Sequence, residues 1–327
     1  MSNKPTVILG AGLAGLITAC QFGNAEIREA SAYNPKPRHQ ALLRFRDESV
    51  SNLTGIPFKK VTVRKAVWDS RNHRLVNGEC PIDLANQYSL KVTGGISGRS
   101  VFNLDSATRY IAPDNFQQQL EQRFFNRISY NSPVDKAQIE EITKRGEEAL
   151  ISTIPLPAML ATLELEAQAK YLQKADAAPI IVTRYKMAVD CDVYQTVYFP
   201  QKSMQTYRAS ITGNTLIIEG IDFGAENNYF AEGELGTILS TFGLNLNHVD
   251  VQSQTRTIQR LGKIVDIPSD VRAALLYDLT SNHGIFSVGR FACWRNILLD
   301  DVAKDVVSVS KLVDASDYSR KLNIFGK

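Results

Sequence analysis

Three glycines near the start of the chain have the spacing of a dinucleotide-binding loop. The apolar run Thr6–Leu9 leads directly into Gly-x-Gly-x-x-Gly, and a helix-forming stretch follows. In such a loop the first glycine permits a tight turn, the second lets the backbone approach a pyrophosphate, and the third lets the helix pack closely. The N–H groups at the helix start supply positive potential for phosphates. We therefore predict a phosphate site formed by Gly10, Ala11, Gly12, Leu13, Ala14 and Gly15.

A carboxylate follows at the distance that such a site requires. The next predicted strand, Ala25–Arg28, ends at Glu29, nineteen residues after Gly10. A carboxylate at this place accepts hydrogen bonds from a ribose diol. Because strand, turn, helix, strand and acid come in the right order, the sequence predicts dinucleotide binding. The alternative is a glycine-rich turn that binds no ligand.

Other residue types limit the chemistry. No two cysteines form a Cys-x-x-Cys pair and no histidines have metal-ligand spacing, so we predict four reduced thiols, no redox disulfide and no metal site. The sequence has no long apolar run and no basic, apolar leader. We therefore expect a cytoplasmic protein with no membrane partner. The residues concerned are Cys20, Cys80, Cys191, Cys293, His39, His73, His248 and His283.

Positive charge is concentrated in one segment of the chain. Between Lys36 and Arg74 there are ten Lys and Arg residues against three acids, although the whole chain carries only +3. Since this excess follows the second strand, some of it is expected to face cofactor phosphates or an anionic substrate. A solvated surface is the simpler interpretation. Nucleic acid is a further possible partner, but a pI of about 8.5 does not favour it.

The elements that must position these residues alternate between strand and helix at both ends of the chain. The pattern predicts strands at 5–9, 25–29, 61–63, 66–68, 128–130, 149–152 and 285–288, and helices at 13–22, 39–53, 113–124, 157–172, 231–242, 269–279 and 300–313. Between them lies a β-rich part with strands at 180–183, 194–199, 207–211, 216–219 and 249–258. A Gly213-Asn214 pair predicts a hairpin there. Residues 80–105 have no clear pattern.

Several short stretches resemble one superfamily, the FAD-dependent oxidoreductases that include UDP-galactopyranose mutase, protoporphyrinogen oxidase and the flavin amine oxidases. The glycine motif with Glu29-Ala30 is the part that they share most widely. Ile151–Leu156 resembles the strand that returns from the cofactor, and Val288–Arg295, followed by Leu299-Asp300, resembles the closing segment of the mutases. Tyr198-Phe199-Pro200, followed by Tyr207-Arg208, resembles the mutase substrate domain.

This resemblance implies an α/β fold, with a Rossmann-like FAD-binding domain and an inserted substrate domain of mixed β-sheet plus helices. The expected domain boundaries are 1–75, 106–155 and 260–327 for the FAD-binding domain, and 76–105 and 156–259 for the substrate-binding domain. The resemblance also implies that FAD is the cofactor. Besides the glycine loop, the residues that would hold it are Glu29, Ala30, Arg38, Val134, Thr153, Gly289, Arg290, Leu299 and Asp300.

Four residues are candidates for catalysis or substrate binding. His39 is the histidine near the cofactor segment and is a candidate general base. Tyr207 and Arg208 are candidates to clamp an anionic group. Lys91, with Tyr88 and Arg99, surrounds Gly94-Gly95, a candidate loop over the flavin. Each of these also has a plain structural interpretation.

Two reactions fit these parts. In the first, a C–H bond next to an amine or alcohol gives a hydride to flavin N5. In the second, reduced flavin assists isomerisation of a nucleotide-linked sugar. Because the His-rich motif of the mutases is missing, we favour the oxidoreductase, of amine-oxidase type. The sequence also leaves open a flavoenzyme that modifies a large anionic substrate such as nucleic acid, and an NAD(P)-binding regulator without activity. It makes no prediction of the oligomeric state.

Overall fold

The computed structural model describes residues 4–35, 42–96, 101–145, 148–165, 177–222, 230–265 and 267–325. Its α-helices are α1 (Leu13–Gln21), α2 (Ser49–Thr54), α3 (Ile82–Thr93), α4 (Phe116–Phe124), α5 (Lys136–Arg145), α6 (Leu156–Thr162), α7 (Phe230–Thr241), α8 (Ser269–His283) and α9 (Leu299–Phe325). Short 3₁₀ turns lie at Phe125–Arg127 and Leu246–His248.

Its strands form two sheets, and the smaller one is entirely parallel. The strands are β1 (Thr6–Leu9), β2 (Ala25–Arg28), β3 (Arg44–Phe45), β4 (Lys59–Asp69), β5 (Arg74–Val76), β6 (Ala107–Ile111), β7 (Ile128–Ser129), β8 (Ala149–Ser152), β9 (Ala177–Met187), β10 (Tyr194–Tyr198), β11 (Thr206–Thr212), β12 (Thr215–Ile221), β13 (Val249–Ile264) and β14 (Ile285–Ser287). The smaller sheet has the order β14-β8-β1-β2-β7. All four side chains of β1 are buried, as expected of a central strand covered on both faces.

The larger sheet has nine strands and holds the β-rich part of the chain. Its order is β13-β9-β12-β11-β10-β4-β6-β3, with β5 paired to β4. All its pairs are antiparallel except β10 with β4. One face packs on α7 through Leu235, Ile238 and Leu239. The opposite face packs in part on α3 and also carries charged side chains, so it is not a simple hydrophobic layer.

One short segment joins the two sheets. Phe45 of β3 lies in the hydrophobic core beneath the smaller sheet, together with side chains of α1 and α9. Arg44 donates from its guanidinium to the Thr196 Oγ1 atom at 2.6 Å and to the Ile211 carbonyl at 2.8 Å, both in the larger sheet. Its neighbour Arg46 donates its backbone N–H to the Asp300 carboxylate at 3.1 Å. Because successive side chains of a strand point to opposite faces, two residues can hold both sheets.

The structure confirms an α/β fold with a parallel nucleotide-binding-type sheet and a second, mixed sheet. The Gly213-Asn214 hairpin is confirmed, since Thr212 pairs with Thr215 across it. Strands β3, β4 and β6 belong to the larger sheet although they come from the N-terminal part of the chain. The expected domain boundaries stay a prediction.

Two helices differ from the predicted ones, and two, α3 and α5, were missed. Over 39–53 the described residues form β3 and then the short helix α2, because pairing of Arg44 with Ile111 of β6 outweighs local helix propensity. The helix predicted at 157–172 ends at Thr162, and Glu164 two residues later takes a positive φ of 58°. Residues 166–176 lie outside the described residues. Helix α3 buries Leu84, Tyr88 and Val92, an i, i+4, i+8 pattern inside a stretch that gave no clear prediction.

Candidate functional site

The predicted glycine loop lies between β1 and α1, and its three glycines have different surroundings. A side chain at Gly10, where φ is +100°, would come within 2.8 Å of the Thr153 Oγ1 atom. A Cβ at Gly15 would lie 2.0 Å from the Gly10 carbonyl oxygen, so strand and helix are in close contact there. A Cβ at Gly12 would have no atom of the described residues within 4 Å. The loop is therefore tightly packed against its neighbours at Gly10 and Gly15, and it is open at Gly12.

The open side of the loop is suited to an anion. Gly12 is the N-cap residue of α1, and no side chain in the described ranges caps the helix at this end. The first-turn N–H groups of a helix point outward and carry about half a positive charge. The first turn of α1 contains no acidic residue that would offset this potential. Open space, backbone donors and a helix N-terminus fit the pyrophosphate of a dinucleotide such as FAD.

Glu29 lies beside this loop, at the end of β2. Its side chain is buried, and its two oxygens accept from the backbone N–H of Ala11 at 2.8 Å and of Ser31 at 3.0 Å. These bonds orient the carboxylate beside the loop, where a ribose diol could reach it. Ser132 donates its N–H to the Glu29 carbonyl at 2.9 Å, which brings the segment before Val134 alongside. Ala30 is exposed next to it.

Thr153 directly follows β8 and supports the loop from below. Its hydroxyl donates to the Leu9 carbonyl at 2.8 Å, and its N–H donates to the same oxygen at 2.9 Å. The Gly10 carbonyl lies 3.3 Å from the hydroxyl. The side chain therefore holds the backbone of the loop in place.

The C-terminal turn meets the first turn of α1. Gly289, at a positive φ of 102°, lies so close to Ala14 that an added Cβ would be 2.8 Å from the Ala14 Cβ atom. Arg290 donates to the Asn296 side chain at 3.0 Å. Trp294 is buried and donates its indole N–H to the Val265 carbonyl at 3.0 Å. The two ends of the chain, which were predicted to contribute to one site, are therefore neighbours.

Leu299 and Asp300 begin helix α9 near this turn. Asp300 is fully buried, and its carboxylate accepts from the Arg46 N–H and from its guanidinium at 3.4 Å. The Arg46 guanidinium also pairs with Asp301 at 2.6 Å. Arg46 was not predicted as a site residue. Two features of the sequence could have indicated this contact: Arg46 belongs to the basic segment, and two aspartates stand together at the start of a predicted helix.

Lys91 is held by three backbone carbonyls. Its ammonium donates to the carbonyls of Phe199 at 2.8 Å, Gln201 at 2.7 Å and Thr206 at 2.6 Å. Burial lowers the pKa of Lys91 to about 7, although the Glu234 carboxylate acts in the opposite direction. Lys91 therefore ties α3 to the turn between β10 and β11, and its catalytic role stays a prediction.

Tyr207 and Arg208 lie on β11. Arg208 forms a bidentate ion pair with Glu219 on the neighbouring strand; the Nη2–Oε1 distance is 2.6 Å and Glu219 is buried. Burial acts to lower the pKa of Arg208, but the Glu219 carboxylate together with Tyr207 and Tyr88 raises this pKa above its usual value. Tyr207 is buried in the core between α3 and the sheet. The role of Tyr207 and Arg208 as a clamp for an anionic substrate stays a prediction, but Glu219 already neutralises the charge of Arg208.

Several predicted residues lie outside the described part of the chain. These are Arg38, a candidate phosphate ligand, His39, the candidate base, and Arg99 of the predicted loop. Among the described residues no group of three His, Cys, Asp or Glu side chains has an arrangement that could hold a metal. Burial raises the pKa of both Cys80 and Cys293 to about 11, which favours their protonated form. None of the helices in the described ranges is long and apolar enough to cross a bilayer.

A cavity of about 370 Å³ lies over the larger sheet, on the same face as Arg44. Leu42 and Leu43, which precede Arg44, line one side, and Ile111 with Thr212 lines another. Arg184 of β9 is also in its wall, and burial lowers the pKa of Arg184 while Asp114 opposes that change. Its size falls within the range of small-molecule sites.

Comparison with known proteins supports the fold. No protein-family model matches the chain, and no curated protein matches it. Solved structures do. A reduced UDP-galactopyranose mutase is 13% identical with a TM-score of 0.61, covering 98% of this chain and 95% of that one. A putrescine oxidase variant is 11% identical with a TM-score of 0.57, covering 96% and 99%. A protein assigned as a protoporphyrinogen oxidase from Exiguobacterium sp. 255-15 is 10% identical with a TM-score of 0.54, covering 97% and 100%.

These likenesses extend over almost the whole of each chain. At such identities they show a common fold and nothing finer. The predicted resemblance in fold to UDP-galactopyranose mutase, protoporphyrinogen oxidase and the amine oxidases is therefore confirmed.

Proposed function

We propose that the chain is an FAD-dependent oxidoreductase that oxidises a C–H bond next to an amine or alcohol. The observation that carries this proposal is the junction of Gly12, Glu29 and Gly289. An open phosphate loop, a buried carboxylate beside it and a C-terminal turn packed on Ala14 lie together. The fold similarity to an oxidase and a mutase supports a flavoenzyme in general.

Bound FAD would accept two electrons as a hydride at N5 and return them to oxygen or another acceptor. The substrate would lose the hydride and one proton, which leaves an imine or a carbonyl. The chain's contribution is to bind and orient. The N–H groups at Gly12 would hold the pyrophosphate, and Glu29 would accept from the ribose.

The test is the visible absorbance spectrum of purified protein before and after denaturation. We expect a flavin spectrum, with FAD released on unfolding or taken up when added. A colourless protein that does not take up FAD would contradict the proposal and would leave the glycine loop to NAD(P) or to structure alone.

A flavin-assisted isomerase is the second candidate, because a mutase in its reduced form is among the proteins of similar fold. Anaerobic mixing separates the two. An oxidase loses flavin absorbance when amines or alcohols are added. An isomerase leaves the oxidised spectrum unchanged and converts a nucleotide-linked sugar only after chemical reduction of the flavin.

A further inference from the structure

Several cationic side chains lie on one face of the larger sheet, and Arg184 of β9 is among them, because its strand partner Ile217 lies on that face. We call Arg44, Lys65, Arg109 and Arg208 the basic face. In the strand register Lys65 lies opposite Thr196. Arg208 lies opposite Tyr198 on one neighbouring strand and opposite Glu219 on the other. Arg109 pairs with Val61 of β4, four residues before Lys65 and therefore on the same face. Arg44 reaches this face through its bond to Thr196.

Carboxylates act on two of these charges from beyond ion-pair distance: Asp105 acts on Lys65, and Glu219 acts on Arg44. Within the ranges that the structure describes, Arg44, Lys65 and Arg109 form no ion pair, and their hydrogen bonds go to neutral oxygens. Arg44 bonds to Thr196 and Ile211, Lys65 to the Asn103 carbonyl at 3.3 Å, and Arg109 to the Thr108 carbonyl at 2.7 Å. The buried Nε of Arg44 has no hydrogen-bond partner in this part of the chain. Glu219, a carboxylate on the same face, is held by Arg208.

Other cations of the basic segment contrast with the basic face. Lys59 pairs with Asp192 at 2.7 Å, Arg71 with Asp83 at 3.1 Å, and Arg46 with Asp301 at 2.6 Å. Much of the charge excess predicted from sequence is thus neutralised by acids elsewhere in the chain. Among the described residues Lys60 and Arg64 of this segment also form no ion pair, but both are exposed, whereas Arg44 and Lys65 are half-buried. Three like charges on partly buried side chains repel one another, and burial together with Arg208 lowers the pKa of Arg44 to about 10.

The basic face adjoins the candidate cofactor site. Arg44 and Arg46 are two residues apart, and Arg46 binds Asp300 at the start of α9. The cavity over the sheet begins at Leu42 and Leu43, immediately before Arg44. Lys59 and Arg184 add positive charge to the wall of this cavity, and Asp114 adds negative charge.

We propose that the basic face binds the carboxylate or phosphate group of the substrate. This inference rests on the proposed function, because the molecule held there is the one to be oxidised. Its substrate class is an amine or alcohol that also carries an oxyanion, such as an amino acid, a hydroxy acid or a phosphorylated alcohol. A diamine without an anionic group would be repelled from the face.

The test measures anion binding directly by calorimetry, with succinate and inorganic phosphate as probes and 1,4-diaminobutane as the cationic comparison. Lys65→Gln and Arg109→Gln each remove one charge from half-exposed side chains with few bonds, so both variants are expected to fold. Arg64→Gln is the matched control. Arg64 is the exposed neighbour of Lys65 on β4, and its substitution removes one positive charge, as the other two do. FAD-loaded protein keeps the probes away from the glycine loop.

We expect at least one anion to bind, with affinity about tenfold weaker in Lys65→Gln and in Arg109→Gln and unchanged in Arg64→Gln. Diamine binding is expected to be absent. Failure of both anions to bind the unmodified chain would overturn the proposal, as would equal losses in all three variants. If the chain takes up no FAD, the same titrations on FAD-free protein still decide this inference, whereas the proposed function has already failed.

Discussion

At the scale of single residues, the glycines of the loop serve two different purposes, which are close packing and access for a ligand. Gly15 is required by packing, because a Cβ there would meet the Gly10 carbonyl oxygen at 2.0 Å. Gly12 is not required by packing, since its φ is −72° and the space in front of it is open. A glycine at this position is explained by a ligand group, such as a pyrophosphate, that must approach the backbone closely.

This difference predicts the behaviour of Gly12→Ala. The free energy of unfolding should fall by no more than about 1 kcal/mol, the usual difference between glycine and alanine at an N-cap. The FAD dissociation constant should rise at least about tenfold, because the methyl group occupies the phosphate approach. Fluorescence titration of flavin and chemical denaturation measure the two quantities. Gly23→Ala, also in open space, is the control, and an unchanged FAD affinity in Gly12→Ala would contradict the assignment.

At the scale of elements, buried or partly buried cations connect pieces of the chain that are far apart in sequence. Lys91 joins α3 to the turn between β10 and β11, and Arg44 joins β3 to β10 and β11. A lysine ammonium has three donors, and all three are used on carbonyls here. Replacing such a cation removes several backbone contacts at once.

Lys91 should make stability depend on pH. Its pKa is lowered to about 7 in the folded chain, below its ordinary value near 10.5. Between these values the unfolded chain binds more protons, so the free energy of unfolding should rise with pH, by up to about 1.4 kcal/mol per unit. The slope should disappear in Lys91→Met. Urea denaturation from pH 7 to 10 tests this, and parallel curves for both proteins would show that Lys91 does not titrate there.

At the scale of the whole molecule, the candidate site is assembled from distant parts of the chain. Gly12 comes from the N-terminus, Thr153 from the middle and Gly289 from near the C-terminus, and they meet around the loop after β1. The segment Arg44–Arg46 then links this region to the larger sheet. A ligand bound at such a junction stabilises the folded chain as a whole.

FAD should therefore raise the thermal stability of the entire chain. At about 100 times its dissociation constant, a ligand that binds only the folded state adds about 2.7 kcal/mol. Calorimetry should show a higher Tm with FAD and no comparable change with NAD⁺. The same FAD concentration should have a smaller effect on Gly12→Ala. An equal shift with NAD⁺ would point to a different dinucleotide.

The local sequence was sufficient to predict the site's first half. The strand, turn, helix, strand and acid from Thr6 to Glu29 depend on glycine conformations and on apolar runs, which short-range rules describe well. The closing segment at Gly289 was found by resemblance, and the structure brings it to Ala14. The hairpin at Gly213-Asn214 was likewise predictable, because its turn residues determine it.

Only the tertiary structure decided which charges of the basic segment remain unneutralised. Lys59 and Lys65 look alike in sequence, but Asp192 reaches one and no carboxylate of the described residues pairs with the other. The helix predicted at 39–53 gave way to β3 for the same reason, since its partner Ile111 is far away along the chain. Coulomb interactions and strand pairing both depend on distance in space, and a single sequence reports only distance along the chain.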